Sequence, residues 1–482
     1  MRVLVLIATD NTVRNFVETG AFDALDPQET FYVSSRGGVS HEGPSARLAE
    51  IPTYLGAVED PRPEARRPYR FLRHVLLAAT RGRSRTMNHK LSMLPWRQRL
   101  KFKTAALPGI RQYLLRRTLK RTGLSEDLQR TMREVEPDLV LAPSNGYDPI
   151  VWDGMRSARS LGIPSVALIA NWDNLSSKGI FPALPDYLGV WGPQGVEHAE
   201  QIHGMSPSRV EPLGAPQFDH YFAHERWSTE PPFDVRYAVF AGCFAPFDEL
   251  TALRRLEHVI EAENIDLTIV YRPHPHRFPR KVPDIFDEDQ FRHVVLDPQV
   301  RDLYRASAEE FENWNSPARK RSKPLLPALD YYPRLFEHAE FVICPLSTMI
   351  VEAALFGRRV AVIAYDDGIH ENSPAAVLDY EHFEGVDRVD GFEVCRSPED
   401  MEAAVRGMAR QESAHDETLP EQMRYWLHFD DRPYRQRLRA WLEEIAALEG
   451  ISRAASDRVA DQASAISQIG DLHRSAASGQ GR

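Results

Sequence analysis

The stretch Phe341-Val342-Ile343-Cys344-Pro345-Leu346-Ser347-Thr348-Met349-Ile350-Val351-Glu352-Ala353-Ala354-Leu355-Phe356-Gly357-Arg358-Arg359-Val360-Ala361-Val362-Ile363 decides the fold. Its two ends are unbroken apolar runs, the mark of parallel strands covered on both faces, and the segment between them is an almost wholly apolar helix. Gly357 ends that helix. Ser347 and Thr348 fall at its start, where hydroxyls, backbone N–H groups and the positive end of the helix dipole converge, a setting that suits a phosphate. Glu352 is the single charge in the helix, one turn further on. Either it reaches back to a ribose hydroxyl beside that phosphate, or the stretch is simply a capped helix whose Glu meets a buried Arg.

A second stretch points the same way. Ile265-Asp266-Leu267-Thr268-Ile269-Val270-Tyr271 alternates and is rich in β-branched residues, so it reads as a strand, and it runs into Arg272-Pro273-His274-Pro275-His276-Arg277. Two prolines exclude helix and stiffen the loop. Two Arg and two His are thereby held at the carboxyl end of a strand, where open α/β sheets take their ligands. Such a crowd of cations calls for an anion, although prolines with solvated basic residues are the plainer alternative.

At these residues the chain resembles a family. An Arg-Pro-His-Pro loop, followed about seventy residues later by a strand and Ser-Thr-x-x-x-Glu-Ala, is similar to the nucleotide-binding half of GT-B-fold glycosyltransferases. The branch includes capsule and surface-polysaccharide transferases, CDP-glycerol glycerophosphotransferases and UDP-N-acetylglucosamine 2-epimerase. The resemblance covers roughly residues 235 to 365. It implies two Rossmann-like doubly wound domains facing a cleft, with His274 on the donor's phosphate, Ser347 and Thr348 also binding phosphate, and Glu352 on the ribose. Gly214-Ala215-Pro216-Gln217-Phe218-Asp219 likewise resembles the connection between GT-B domains.

The rest of the chain fits such a plan. With 482 residues there is room for two cores, expected over 1–225 and 226–450, with a last helix crossing back and a disordered tail over 451–482. Cys243, Cys344 and Cys395 are few and far apart, so no disulfide framework is expected and a cytoplasmic setting fits. The opening Met1-Arg2-Val3-Leu4-Val5-Leu6-Ile7-Ala8 is too short in its apolar run for a signal peptide and reads as a first strand, with a helix expected from Val13 to Leu25. No stretch approaches the ~20 apolar residues of a membrane span. The second half ends in helices expected over Met401 to Arg410 and Leu419 to Leu448.

Residues 65–125 depart from this pattern. They hold 17 Lys or Arg and no Asp or Glu, and since the chain as a whole is −10, the remainder carries −27. The cations alternate with residues such as Trp96, Leu100 and Phe102, which predicts helices pairing a basic with an apolar face, either an anionic membrane contact at the inner face or an ordinary solvated face. No nucleic-acid module accompanies them, and no nucleic-acid partner is expected.

Candidate chemistry in the first half lies at strand ends. Asp10 follows the first strand, as a cleft carboxylate or as a turn cap. Pro164 to Ala170 is a strand that ends in Asn171-Trp172-Asp173-Asn174, with Lys178 close behind. There a carboxylate stands beside a ring that can stack on a sugar, or else a turn buries its Trp and caps with its Asp. Asp173 is the first choice for a base that deprotonates an acceptor hydroxyl and Asp10 the second. Trp172, Asn174, Lys178 and, in the second half, His370 and Glu371 are candidate donor or acceptor contacts. Arg272, His274, Ser347 and Thr348 would stabilise a leaving phosphate without a metal, and no cofactor is expected beyond a nucleotide-sugar co-substrate. No Asp-x-Asp stands at a strand end, and the Asp-Asp-Gly sequence at 366–368 is in the wrong half for the sialyltransferase pattern. The expectation is a glycosyltransferase acting on a surface-glycan or lipid-linked acceptor. CDP-alcohol phosphotransfer, nucleotide-sugar epimerisation and a non-catalytic assembly role are the alternatives.

Overall fold

The structure, a computed structural model, describes residues 1–41, 43–179, 181–222, 230–243, 247–274, 286–301, 329–370, 373–411 and 415–451. The chain divides into two compact units, Met1–Asp219 with the chain from Tyr425 onward, and His220–Arg424. The expected tail over 451–482 lies, but for Ile451, outside the described residues, as do His276, Arg277 and Glu371.

Unit 1 is a parallel sheet of seven strands: β1 (Val3–Ile7), β2 (Thr30–Ser35), β3 (Tyr54–Val58), β4 (Leu139–Ser144), β5 (Ser165–Ile169), β6 (Tyr187–Val190) and β7 (Val210–Pro212). Their order is β3-β2-β1-β4-β5-β6-β7. Alternation along β1 sends Val3, Val5 and Ile7 into one apolar cluster and Leu4, Leu6 and Ala8 into another, so both faces are covered. Between β3 and β4 the basic segment forms four helices, α1 (Arg66–Ala79), α2 (Arg85–Ser92), α3 (Trp96–Ala106) and α4 (Pro108–Thr122). Then come α5 (Glu126–Val135) and α6 (Pro149–Leu161), which cover one face through Leu128, Met132, Ile150, Met155 and Ala158.

Unit 2 is a parallel sheet of six strands: β8 (Tyr237–Ala241), β9 (Thr268–Arg272), β10 (Val294–Leu296), β11 (Val342–Pro345), β12 (Val360–Ile363) and β13 (Phe392–Cys395), in the order β10-β9-β8-β11-β12-β13. Its helices α7 (Glu249–Glu263) and α9 (Pro398–Ala409) pack on one face, where Leu253, Leu256, Ile260, Met401, Val405 and Met408 meet Phe240, Ile269 and Ile343. The stretch that decided the fold becomes β11, the short helix α8 (Met349–Leu355), a stop at Gly357 and β12. Gly357 has φ +64, and a Cβ there would stand 2.8 Å from the Asp416 carbonyl oxygen, so glycine is required twice over. The two doubly wound parallel sheets are the architecture that the GT-B resemblance implies.

The last helix, α10 (Tyr434–Leu448), packs on unit 1 through Leu438, Trp441, Leu442 and Ile445. The Gly214–Asp219 connection grips it. The Asp219 carboxylate accepts the Tyr434 N–H at 2.6 Å, and buried Arg437 donates to the Leu213 carbonyl at 2.9 Å. Gly214, at φ +85, leaves room for the His428 carbonyl oxygen, which a Cβ would meet at 2.3 Å.

Two expected helices are corrected. In place of Val13 to Leu25 the chain makes one turn at Asp10–Thr12 and a π-helical turn at Val13–Val17, and Gly20 at φ +70 then takes it out of helical conformation. Leu419 to Leu448 is interrupted between Tyr425 and Tyr434, where Pro433 cannot donate and Asp430 instead accepts from Arg432 and Arg437. The three cysteines are buried and free.

Candidate active site

Strand order in unit 2 creates a crevice. The chain leaves β8 toward β9 and β10 on one side, whereas β11 leads to β12 and β13 on the other, so connections diverge at the carboxyl ends of β8 and β11. Doubly wound sheets take ligands at such a point. Three strand ends meet there. β9 ends in Arg272 with half-buried His274 two residues on, β8 runs into Gly242, and β11 turns through half-buried Ser347 and Thr348 into α8. Only β8 separates the ends of β9 and β11, which places them two strand spacings apart, on the order of 10 Å.

Each end is fixed by its own hydrogen bonds. The Gly242 N–H donates to the Arg272 carbonyl at 2.8 Å, and a Cβ on Gly242 would stand 2.7 Å from a buried Glu249 carboxylate oxygen. That carboxylate accepts the Tyr271 hydroxyl at 2.7 Å and the Cys243 N–H at 3.3 Å. Ser347 Oγ accepts the Met349 N–H at 3.3 Å. Thr348 makes no side-chain capping bond and has no side-chain partner among the described residues.

Arg272, expected on a phosphate, has its guanidinium held within the protein. It is 3% exposed, forms an ion pair with the fully buried Asp297 carboxylate, donates to the Tyr332 hydroxyl at 2.7 Å and lies 4.5 Å over the Tyr332 ring. Tyr331 donates to the other Asp297 oxygen at 2.7 Å. A buried guanidinium needs such a partner, and Asp297 directly follows β10, so the pair locks the ends of β9 and β10 together. Arg272 is thereby engaged inside unit 2, two residues before His274. Glu352 accepts a hydrogen bond from buried Tyr221, which leaves it half-buried and oriented. His370 Nδ1 is 2.6 Å from an Asp367 oxygen, and the same carboxylate accepts the N–H of Asp248 at 2.8 Å and of Ile369 and His370 at 2.9 Å each. Burial pushes Asp367 up, but those hydrogen bonds outweigh it and hold the carboxyl below its ordinary range.

Unit 1 reverses between β1 and β4, and its two carboxylate candidates fare differently. Asp10 Oδ1 accepts from the Ser40 N–H at 2.8 Å, the Ser40 hydroxyl at 3.0 Å and the Ser45 hydroxyl at 2.7 Å, while Thr9 caps the turn. Asp10 therefore clasps the loop that follows β2. Asp173 stands beyond β5 at the start of the Asn174–Ser177 turn, where its carboxylate accepts from Ser177 Oγ at 2.5 Å and Asn174 Nδ2 at 3.3 Å. Trp172 is 6% exposed, in keeping with the alternative of a turn that buries its Trp. Asn174 is also buried and ties to the Asn171 N–H at 3.0 Å.

Residues that sequence reasoning missed surround Asp173. The Tyr147 ring lies 4.0 Å under the Arg73 guanidinium and 5.3 Å from Lys178 Nζ. Lys90 belongs to the same charge cluster. Burial pushes its amine down to about 8, the field of Asp173 offsets part of that, and Lys178 adds to it. Asp148 is buried, accepts the Asn145 N–H at 2.7 Å and the Ser144 hydroxyl at 3.2 Å, and is raised by burial. No local signal marks Lys90, because it comes from the basic segment more than 80 residues before Asp173.

No family model matches the chain, and no curated protein matches it. Solved structures do. The chain is similar to UDP-GlcNAc 2-epimerase from Methanocaldococcus jannaschii, at 10% identity over 92% of this chain and 100% of that one, with a TM-score of 0.48. It is similar to UDP-GlcNAc 2-epimerase from Neisseria meningitidis, at 10% identity over 93% and 100%, with a TM-score of 0.47. It is also similar to MurG from Acinetobacter baumannii, at 13% identity over 92% and 99%, with a TM-score of 0.42.

Proposed function

We propose that the chain is an enzyme that moves a sugar from a nucleotide-sugar donor to an acceptor hydroxyl, with unit 2 holding the donor's phosphates and unit 1 carrying the base. The observation that carries this reading is the crevice between β8 and β11, where His274 and the pair Ser347 and Thr348 flank Gly242 and the Thr348 hydroxyl has no partner among the described residues. As the sugar–phosphate bond breaks, its electron pair passes to the leaving phosphate oxygen, and a histidine N–H with two hydroxyls meets the growing charge. The acceptor oxygen forms the new bond to the sugar in an inverting displacement. Its proton passes to Asp173, which Ser177 and Asn174 hold in one orientation. Glu352, oriented by Tyr221, is the ribose contact in this reading.

The basic segment gives the enzyme its peripheral contact with an anionic membrane, where a lipid-linked or surface-glycan acceptor is presented. Phe71, Trp96, Leu100, Leu107, Ile110 and Tyr113 are all exposed there among the cations, and no helix among the described residues is long and apolar enough to cross a membrane. Each Lys or Arg near such a surface contributes about 1 kcal/mol.

The test incubates the protein with a panel of nucleotide sugars and CDP-alcohols together with glycolipid acceptors and identifies products by mass spectrometry. A sugar added to the acceptor is expected, and Asp173→Asn should lower its rate about a hundredfold or more. An alcohol phosphate on the acceptor, or an epimerised donor formed without acceptor, would replace sugar transfer as the activity.

A further inference from the structure

The basic segment contains a cavity of about 630 Å³, well inside the range of small-molecule sites. Helix spacing builds its walls. On α3, Arg99, Phe102, Lys103 and Ala106 stand at positions i, i+3, i+4 and i+7, so they share one face, and all four line the cavity. Across from them stands a stripe of α2 that includes Leu91, while Arg81 from the α1–α2 turn and Leu107 at the start of α4 close the ends. The Gly82 N–H donates to Asn88 Oδ1 at 3.0 Å, which fixes that turn against α2.

Three exposed cations and an apolar wall thus border one open pocket. Arg81, Arg99 and Lys103 form no ion pair among the described residues, in a segment that contains no acid at all. Like charges gathered without counter-charge repel, and an anion seated among them removes that cost. Leu91, Phe102 and Leu107 line the same space, so the anion that fits is one joined to an aliphatic chain. Trp96 and Leu100, 63% and 57% exposed on α3, continue apolar surface along the helix that bears Arg99 and Lys103.

We propose that this cavity binds the phosphate group of an aliphatic phosphate ester, with Arg81, Arg99 and Lys103 on the phosphate and Leu91, Phe102 and Leu107 on the chain. The proposal deepens the membrane-contact reading and rests on it only for the source of the ligand. It goes beyond diffuse attraction to a charged surface, because it predicts one molecule bound at one place.

Isothermal titration with water-soluble dihexanoyl phosphatidic acid, dihexanoyl phosphatidylcholine and inorganic phosphate tests it without any vesicle or sugar donor, so its failure is distinguishable from failure of membrane docking or of transfer. Phosphatidic acid should bind one to one, and the other two at least tenfold more weakly. Arg99→Gln with Lys103→Gln should weaken phosphatidic acid at least tenfold. Arg116→Gln with Lys120→Gln removes the same charge at the same spacing outside the cavity and should change it less than twofold. All four side chains are exposed, and melting curves will show both variants folded. Equal losses in the two variants, equal binding of the two lipids, or inorganic phosphate binding as tightly as phosphatidic acid would overturn the proposal.

Discussion

Two helical layers of this chain are rich in arginine and use it in opposite ways. On the unit 2 sheet, Arg255 of α7 meets Glu399 at 2.5 Å and Glu402 at 2.8 Å, and Arg406 of α9 meets Glu263 at 2.6 Å and Glu402 at 3.2 Å. Arg255 with Glu399 and Glu402, and Arg406 with Glu263, are thus paired across the two helices. In α1 to α4 the cations have no acid among them, and large apolar side chains are exposed between them. Charge balanced within the molecule serves the fold, whereas charge left unbalanced implies a counter-charge outside it.

The comparison can be broken at four places. Arg272 is the extreme of internal balance, so Arg272→Ala should leave Asp297 buried and unpaired and cost about 3–5 kcal/mol in denaturant unfolding. A loss below about 1 kcal/mol would return Arg272 to the ligand site. At the other extreme, Lys101→Gln with Lys120→Gln should leave stability unchanged but weaken flotation with anionic vesicles by about 2 kcal/mol, roughly thirtyfold at low salt. Negligible flotation of the unaltered protein would leave the basic segment an ordinary solvated face.

Lys90 tests the boundary between the two behaviours, since it is a cation of the basic segment drawn in beside Asp173. Its folded-state value near 8 lies below that of a free lysine, so between about pH 8 and 10.5 the unfolded chain holds the extra proton and stability must rise with pH. The native protein should therefore gain stability relative to Lys90→Met over that window, by roughly 3 kcal/mol, in unfolding curves taken at each pH. A constant difference would mean that Lys90 is solvated. Smallest of all, Arg406→Gln breaks partly exposed pairs and should cost about 0.5 kcal/mol, with no effect on vesicle binding.

How far these features can be read from the chain depends on how local they are. Val342–Pro345 and Val360–Ile363 are central strands, buried along their whole length, and unbroken apolar runs announced them. Tyr54–Val58 and Phe392–Cys395 are edge strands with half-buried positions, Val294–Leu296 has three residues, and none of the three carried a pattern strong enough to register. Site residues divide in the same way. Ser347, Thr348 and His274 stand where strand-end logic put them, because a strand followed by a turn is a local signal. The burial of Arg272 depended on Asp297, 25 residues later, and Glu352 depended on Tyr221, 131 residues earlier. Such pairings exist only once the sheet has formed.

The central claim is that the crevice between β8 and β11 holds a nucleotide's phosphates. Titrating UDP, CDP and GDP calorimetrically into the protein, into His274→Ala and into Ser347→Ala with Thr348→Val tests it most directly. One nucleotide should bind one to one, and both variants should weaken it fivefold or more while remaining folded, each lost hydrogen bond costing on the order of 1 kcal/mol. Asp10→Asn, in unit 1, should leave that affinity unchanged. Unaltered affinity in both crevice variants, or no binding of any of the three nucleotides to the native protein, would contradict the account.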